Sequence, residues 1–223
     1  MSVQYLYDRN KYIRTILNKL GFSRPIELIL TSPRIVEYPW ILRNMPAKGR
    51  VLDVGSTGSQ LPLMLLGLGY EVWTVDVREY EFEGVNKNLH CIKGDIRNTN
   101  FPDSFFDIVI AVSTIEHIGL GRYNDPIDPE GDINAIKEIN KILKIRGILM
   151  MTVPFGNKSI SKLHRVYDIK SLLTLLSKFK IEKIEYFWKS DQVWNYSSLE
   201  QVRNVDSSIQ ENAIVCVKAI KSF

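Results

Sequence analysis

Between residues 50 and 153 the chain alternates short apolar runs of strand length with stretches whose apolar residues recur every three or four positions. No other feature narrows the fold as far, because strands joined through helices are driven into a mostly parallel sheet covered on both faces. Strands are predicted at 51–54, 70–75, 90–93, 107–112 and 147–153, with two more near 181–188 and 213–220. Helices are predicted at 61–68, at 132–143, where Ile133, Ile136, Ile139, Ile142 and Leu143 share one face, and at 168–178 with Asp168 as N-cap. Upstream, Leu6, Ile13, Ile16, Leu17 and Leu20 form a helical face stopped at Gly21. A second helix is predicted over 35–45, in which Pro39 implies a break or a first-turn position.

With 45% hydrophobic and 24% charged residues the chain can build an ordinary globular core. Its longest apolar runs, such as 108–112 or 148–151, fall far short of the roughly 20 residues needed to cross a bilayer. The first residues turn polar at once, which argues against a signal peptide and leads us to expect a cytoplasmic protein. Cys91 and Cys216 lack the paired spacing of a zinc site or disulfide framework and read as reduced and structural. The net charge of +4 comes from lysines and arginines interleaved with acids, which permits an anionic partner without requiring one. No repeat or long linker interrupts the pattern, so we expect one domain over 1–223 in which residues 1–47 are a helical cap.

In a sheet of this kind ligands bind beyond the carboxyl ends of the strands. Residues with chemistry to offer follow the predicted strands in order. Asp53-Val54-Gly55-Ser56-Thr57-Gly58-Ser59 is a turn of small residues that lets a ligand approach the backbone at a helix start. Asp76, 21 residues after Gly55, can accept from both hydroxyls of a ribose, and Asp95 in Gly94-Asp95-Ile96 can accept from an adenine amine. The Gly55-to-Asp76 spacing also suits a nicotinamide dinucleotide. The three-glycine pattern of that class is missing, however, and Asp53 stands ahead of the glycines.

From these residues the chain resembles the class I methyltransferases that use S-adenosylmethionine, well over roughly residues 48–155 and by topology beyond. Val51-Leu52-Asp53-Val54-Gly55 resembles their first motif, Val75-Asp76 the second, and Gly94-Asp95-Ile96 the adenine-contacting motif. Phe105 to Ile110 through Ile115-Glu116-His117-Ile118 resembles their fourth strand and its loop, and 132–153 the next helix and strand, ending in Val153-Pro154. Two motifs depart from the family: its Gly-x-Gly-x-Gly is Gly55-Ser56-Thr57-Gly58-Ser59, and its Lys-Pro-Gly-Gly turn is Lys144-Ile145-Arg146-Gly147.

The resemblance implies an α/β, Rossmann-like three-layer sandwich with a seven-stranded, mostly parallel sheet and an antiparallel last strand. Its final strand pair would form an edge hairpin, with Trp188, Trp194 and Tyr196 in an extended connection. It implies S-adenosyl-L-methionine as cofactor, held by Asp53, Gly55, Ser56, Thr57, Gly58, Asp76, Val77, Asp95, Ile96 and Ser113.

The implied reaction is an in-line methyl transfer that relies on alignment and requires no metal. His117 is the leading candidate general base, as its ordinary pKa lies near neutrality, while the resemblance also implies a role for the Glu116-His117 pair in shaping the cofactor loop. Glu116, Arg122, Tyr123, His164 and Arg165 are candidate acceptor contacts, with Tyr167 beside them; His90 reads as packing. The turn-rich stretch 119–132 reads as a loop over the acceptor. Its acids Asp125, Asp128, Glu130 and Asp132 raise calcium as a ligand, but Pro126 and Pro129 interrupt the spacing. No Asn-Pro-Pro-Tyr-like run follows the fourth strand, neither cysteine stands where cytosine methylation needs one, and no basic stripe is present. A small-molecule, sugar or glycan-linked acceptor is therefore preferred. An RNA methyltransferase, with nucleic acid as partner, and a non-catalytic binding protein of the same fold are the alternatives; the oligomeric state is left open.

Overall fold

A computed structural model of the chain describes residues 32–222. The helix expected around Ile13 and Leu17, and most of the expected cap, lie outside them. The described elements run α1 (Arg34–Asn44), β1 (Arg50–Val54), α2 (Leu61–Gly67), β2 (Glu71–Asp76), β3 (Leu89–Lys93), β4 (Phe106–Val112), α3 (Gly131–Ile142), β5 (Leu143–Pro154), β6 (Ser159–Ile160), β7 (Arg165–Val166), α4 (Ile169–Leu175), β8 (Phe179–Ser190), β9 (Val193–Ser197), α5 (Leu199–Val202) and β10 (Ala213–Lys221).

Eight strands form one sheet in the order β3-β2-β1-β4-β5-β10-β8-β9. The first five pair in parallel, and β10 inserts antiparallel between β5 and β8. Because side chains alternate along a strand, each central strand feeds two cores. In β4, Val109 and Ala111 join the layer with Ile136 and Ile139 of α3 and Leu172 of α4. Ile108 and Ile110 turn the other way, onto Trp40 and Ile41 of α1 and Leu61 and Leu65 of α2. These are the three layers that the apolar periodicity implied.

The sheet has eight strands where seven were expected. The extra one, β9, contains Trp194 and Tyr196, which were assigned to a connection; it pairs antiparallel with β8 and takes over the edge. The β8–β10 pair is antiparallel as expected, but it lies one strand inside that edge.

Two further elements differ from the sequence reading. Helix α1 runs through Pro39 without stopping, because burial of Trp40 and Ile41 against the sheet and of the Glu37 side chain outweighs the single amide hydrogen bond that proline cannot donate. Strand β5 begins directly after α3, so Lys144-Ile145-Arg146-Gly147 is an irregular start to the strand, with Arg146 at φ 63° and a register shift against β4. At α4, Asp168 is the N-cap as read from sequence, its carboxylate accepting from the Ser171 amide at 2.7 Å.

Candidate functional site

β1 and β4 are neighbours in the sheet, yet the helices that follow them pack on opposite faces, so a crevice opens between their carboxyl ends. Its walls bring together Gly55, Thr57, Asp76, Val77, Asp95, Ile96, Ser113, His117 and Tyr123. These residues come from the ends of four different strands and one loop, and all were singled out from sequence. Asp53 and Gly58 open into a smaller hollow adjoining it, together with Arg34 and Tyr38. Ser56 faces another way, into a separate hollow beside Thr74 and Cys91.

The turn after β1 is shaped by contact as much as by access. Gly55 has φ 77°, and a Cβ there would sit 2.4 Å from both Oγ1 and Cγ2 of Thr114. Thr114 cannot retreat easily, since its hydroxyl lies 3.0 Å from the carbonyls of both Val54 and Val112 and ties the ends of β1 and β4 together. Gly58, at φ 81°, has open space where a side chain would be.

The three aspartates differ in state. Asp53 is buried, and desolvation pushes its pKa up to about 8, Asp76 adding to the rise and Arg34 opposing it. Asp76 accepts from the Thr57 amide at 3.0 Å and from the amide, Nε and Nη2 of Arg78 at 2.9, 3.1 and 3.1 Å. Asp95 caps a 3₁₀ turn, Ile96–Asn98, by accepting from the Arg97 amide at 2.9 Å, and its carboxylate also pairs with the Arg97 guanidinium. Desolvation raises the Asp95 pKa, but the hydrogen bonds and charge of Arg97 outweigh it and hold the carboxyl below the usual range.

Two residues at this site were not singled out from sequence. Arg34 of α1 lines both the crevice and the adjoining hollow. Glu37, one turn later, is fully buried; it pairs with Arg34 and accepts from Ser113 Oγ and Thr152 Oγ1 at 2.6 Å each. Helix α1 is thereby fastened to the loop after β4, where Ser113 itself has φ 44°. The sequence hint available was an acid and a base spaced i,i+3 on a helix, a pattern usual on solvated faces.

Beyond Ser113 lies a short turn, Ile115–His117. His117 is buried, with Nδ1 2.7 Å from the Leu163 carbonyl. Desolvation lowers its pKa to about 4; Arg122, His164 and Arg34 add to the fall and the Leu163 contact opposes it. Tyr123 meets the His117 ring edge-on at 5.7 Å and lies under the Arg78 guanidinium at 4.4 Å, so it bridges the two sides of the crevice mouth. Arg122 sits over Tyr123 and donates to the Leu163 carbonyl at 3.1 Å.

The remaining acceptor candidates are turned into the protein, and two of them, His164 and Arg165, are held by backbone carbonyls. Glu116 is fully buried. His164 Nε2 lies 2.7 Å from the Ser207 carbonyl. Arg165 donates to the carbonyls of Ile118 at 2.6 Å and Pro129 at 3.3 Å, and stands 3.6 Å from Asp132, which also accepts from Tyr167. These contacts pin the loop that carries Tyr123. Its acids serve the same end: Asp125 accepts from the Gly119 amide at 2.6 Å, and Asp128 from Asn134 and Arg97 at 3.0 and 3.3 Å.

Residues 54–219 match the family described as "Caenorhabditis protein of unknown function, DUF268". Over 171 residues the chain is 25% identical to "Putative methyltransferase YqeM" of Bacillus subtilis (strain 168); the match covers 74% of this chain and 62% of that protein, so the chain spans less than two thirds of that curated relative. Among solved structures, a SAM-dependent methyltransferase from Methanosarcina mazei superposes with a TM-score of 0.59 at 16% identity, over 82% of this chain and 97% of that one. The 1,6-didemethyltoxoflavin-N1-methyltransferase of Burkholderia thailandensis, solved with its substrate and S-adenosylhomocysteine, gives 0.59 at 12% identity, over 100% and 92%. The fold is that of the class I SAM-dependent methyltransferases, and the match covering most of the chain makes it a member of the DUF268 family.

Proposed function

We propose that this member of the DUF268 family is an S-adenosylmethionine-dependent methyltransferase acting on a small-molecule, sugar or glycan-linked acceptor. The observation that carries the reading is the convergence, in one crevice, of the glycine turn after β1 with the carboxylates of Asp76 and Asp95 after β2 and β3. That donor set fits an adenosyl nucleoside. Asp76 would take the ribose hydroxyls, Asp95 and Ile96 the adenine, Val77 would pack beside the ribose, and Ser113 would flank the reacting end. Arg34 and Asp53, with the backbone of Gly55, Ser56, Thr57 and Gly58, would meet the amino-acid end, where a guanidinium suits a carboxylate.

Asp76 must first be released. Its four present bonds fill the acceptor capacity of a carboxylate, so ribose hydroxyls compete with Arg78. Arg78 is partly exposed, so its side chain can swing toward solvent when a ligand enters, giving up its present stacking on Tyr123.

When bound, the cofactor supplies an activated methyl group. The chain's own part is to align and enclose: Tyr123 narrows the mouth, and the α1 tether through Glu37 fixes the loop bearing Ser113 and His117. His117, with its low proton affinity, is a weak base on its own, and we assign it to the acceptor side.

Calorimetric titration with S-adenosylhomocysteine and NAD, followed by methyl-radiolabel transfer into fractionated whole-cell extract, tests the proposal. Binding of the adenosyl compound alone and a labelled low-mass product are expected. Absence of adenosyl affinity contradicts the enzyme reading, and label confined to large RNA contradicts the acceptor class.

A further inference from the structure

Three metal-ligating side chains meet beside the crevice wall. One ligand atom from each of Glu116, His117 and Glu211 lies within 4.8 Å of the other two. Glu116 is fully buried, and neither of its oxygens has a hydrogen-bond partner among the described residues. His117 Nε2 stands 3.7 Å from Glu116 Oε1, outside hydrogen-bond reach. A buried carboxyl left without a hydrogen-bond donor is costly to ionise, the charge of Arg34 offsets that cost only in part, and a bound cation is one of the few ways to offset the rest.

The imidazole is turned for the same purpose. Nδ1 lies 2.7 Å from the Leu163 carbonyl, which can only accept, so Nδ1 carries the proton and Nε2 keeps its lone pair, 3.7 Å from Glu116 Oε1. Arg122 Nη1, 3.3 Å from Nδ1, is satisfied by the same carbonyl at 3.1 Å. A backbone carbonyl that fixes the tautomer of a ring whose other nitrogen faces acids is the usual support of a metal-binding histidine. The unpartnered Glu116 carboxyl and the imidazole lone pair thus face each other as acceptors, with a Glu211 oxygen within 4.8 Å of the cluster.

We propose that Glu116, His117 and Glu211 form a mononuclear site for a divalent first-row transition ion. One nitrogen and two carboxylate oxygens suit ions from Mn²⁺ to Zn²⁺ and disfavour the soft cuprous ion. Ligand atoms at about 2.0–2.2 Å from a shared ion stand roughly 3 Å apart, so the cluster must draw in on binding. Glu211 is the member with room to move, being only partly buried in the irregular stretch ahead of β10. Three protein ligands leave positions open for an exchangeable ligand. The role of that opening rests on the methyltransferase reading: His117 is also part of the crevice wall, so an acceptor hydroxyl can bind the ion there, and the ion eases loss of its proton to water. This names the acceptor class as one with a metal-binding oxygen.

The test uses the full chain without a histidine tag, stripped with a chelator and titrated with Co²⁺ under visible absorption. One saturating equivalent with ligand-field bands is expected. Glu211→Gln should weaken uptake at least tenfold with an unchanged far-UV circular dichroism spectrum, and Glu116→Gln should do the same. No saturable uptake at millimolar Co²⁺, or uptake indifferent to both substitutions, overturns the site. S-Adenosylhomocysteine binding measured on the same metal-free sample keeps the two readings apart. Nucleoside affinity without Co²⁺ uptake overturns the metal site alone, and Co²⁺ uptake without nucleoside affinity overturns the methyltransferase reading alone.

Discussion

The two halves of the crevice solve the problem of buried charge in opposite ways. On the side of β1, β2 and β3, Asp76 and Asp95 each hold an arginine two residues further along the chain, so both carboxylates have a cationic partner that a ligand can displace. On the side of β4, Arg165 and His164 are committed to backbone carbonyls, while Glu116 is enclosed with no donor. The first half is a surface whose partners can be exchanged for a ligand's hydroxyls and amines. The second is a rigid frame around a few unsatisfied atoms, which suits a group that must be positioned and not merely held.

The sharpest way to break that contrast is Asp76→Ala. If the carboxylate trades Arg78 for ribose hydroxyls, its loss removes charge-assisted bonds of about 1.5–3 kcal/mol each, and adenosylhomocysteine affinity measured by calorimetry falls about 100-fold or more. Arg165→Ala on the frame side should leave that affinity within about threefold while lowering thermal stability, as expected of a group that pins the loop.

Next in size is Gly55→Ala. Positive φ and the Thr114 contact should together cost about 2–4 kcal/mol in urea denaturation. The double variant with Thr114→Ser, which removes the methyl from the clash, should recover part of it. Equal losses in the single and double variants would place the cost in backbone strain and the remaining hydroxyl contact.

The pH response separates the halves by sign. Asp53 has its folded pKa raised from 3.8 to about 8, so the folded chain binds the extra proton and the cost of burying this group grows as pH climbs from about 4 to 8. His117, lowered from 6.5 to about 4, makes the unfolded chain the better proton binder, so its contribution to stability is lost as pH falls from about 6.5 to 4. In denaturation series, Asp53→Asn should gain on the parent protein as pH rises through the first window. His117→Gln should narrow the parent's loss through the second. The smallest effect is expected of Arg78→Ala, which removes the competitor for Asp76 and should tighten adenosylhomocysteine about three- to tenfold, roughly 1 kcal/mol. Weaker binding would mean that Arg78 serves the ligand directly.

Much of the first half could be read from sequence because strand periodicity fixes which residues end a strand, and Asp53, Asp76 and Asp95 each sit at or just after one. The same logic found Asp168 as an N-cap. It failed where the local signal contradicts the outcome. The turn between β8 and β9 is made by Asp191 and Gln192, at φ 50° and 64°, in place of the Asn-Gly or Asp-Gly pair that would have announced a hairpin, so β9 was read as a connection. Arg34 and Glu37 were missed because an i,i+3 ion pair looks like helix surface until tertiary contacts bury the acid beneath Ser113 and Thr152. Glu211 was missed since nothing near it is periodic; only the path of the chain into β10 brings it to Glu116.

The central claim is that the crevice after β1, β2 and β3 is a seat for an adenosyl nucleoside. A crystal grown with S-adenosylhomocysteine tests it most directly. The account predicts the ribose hydroxyls on the Asp76 carboxylate, the adenine beside Asp95 and Ile96, and the Arg78 guanidinium swung away. Crystals from a saturating soak in which Arg78 still occupies Asp76 and no nucleoside lies in the crevice would contradict it.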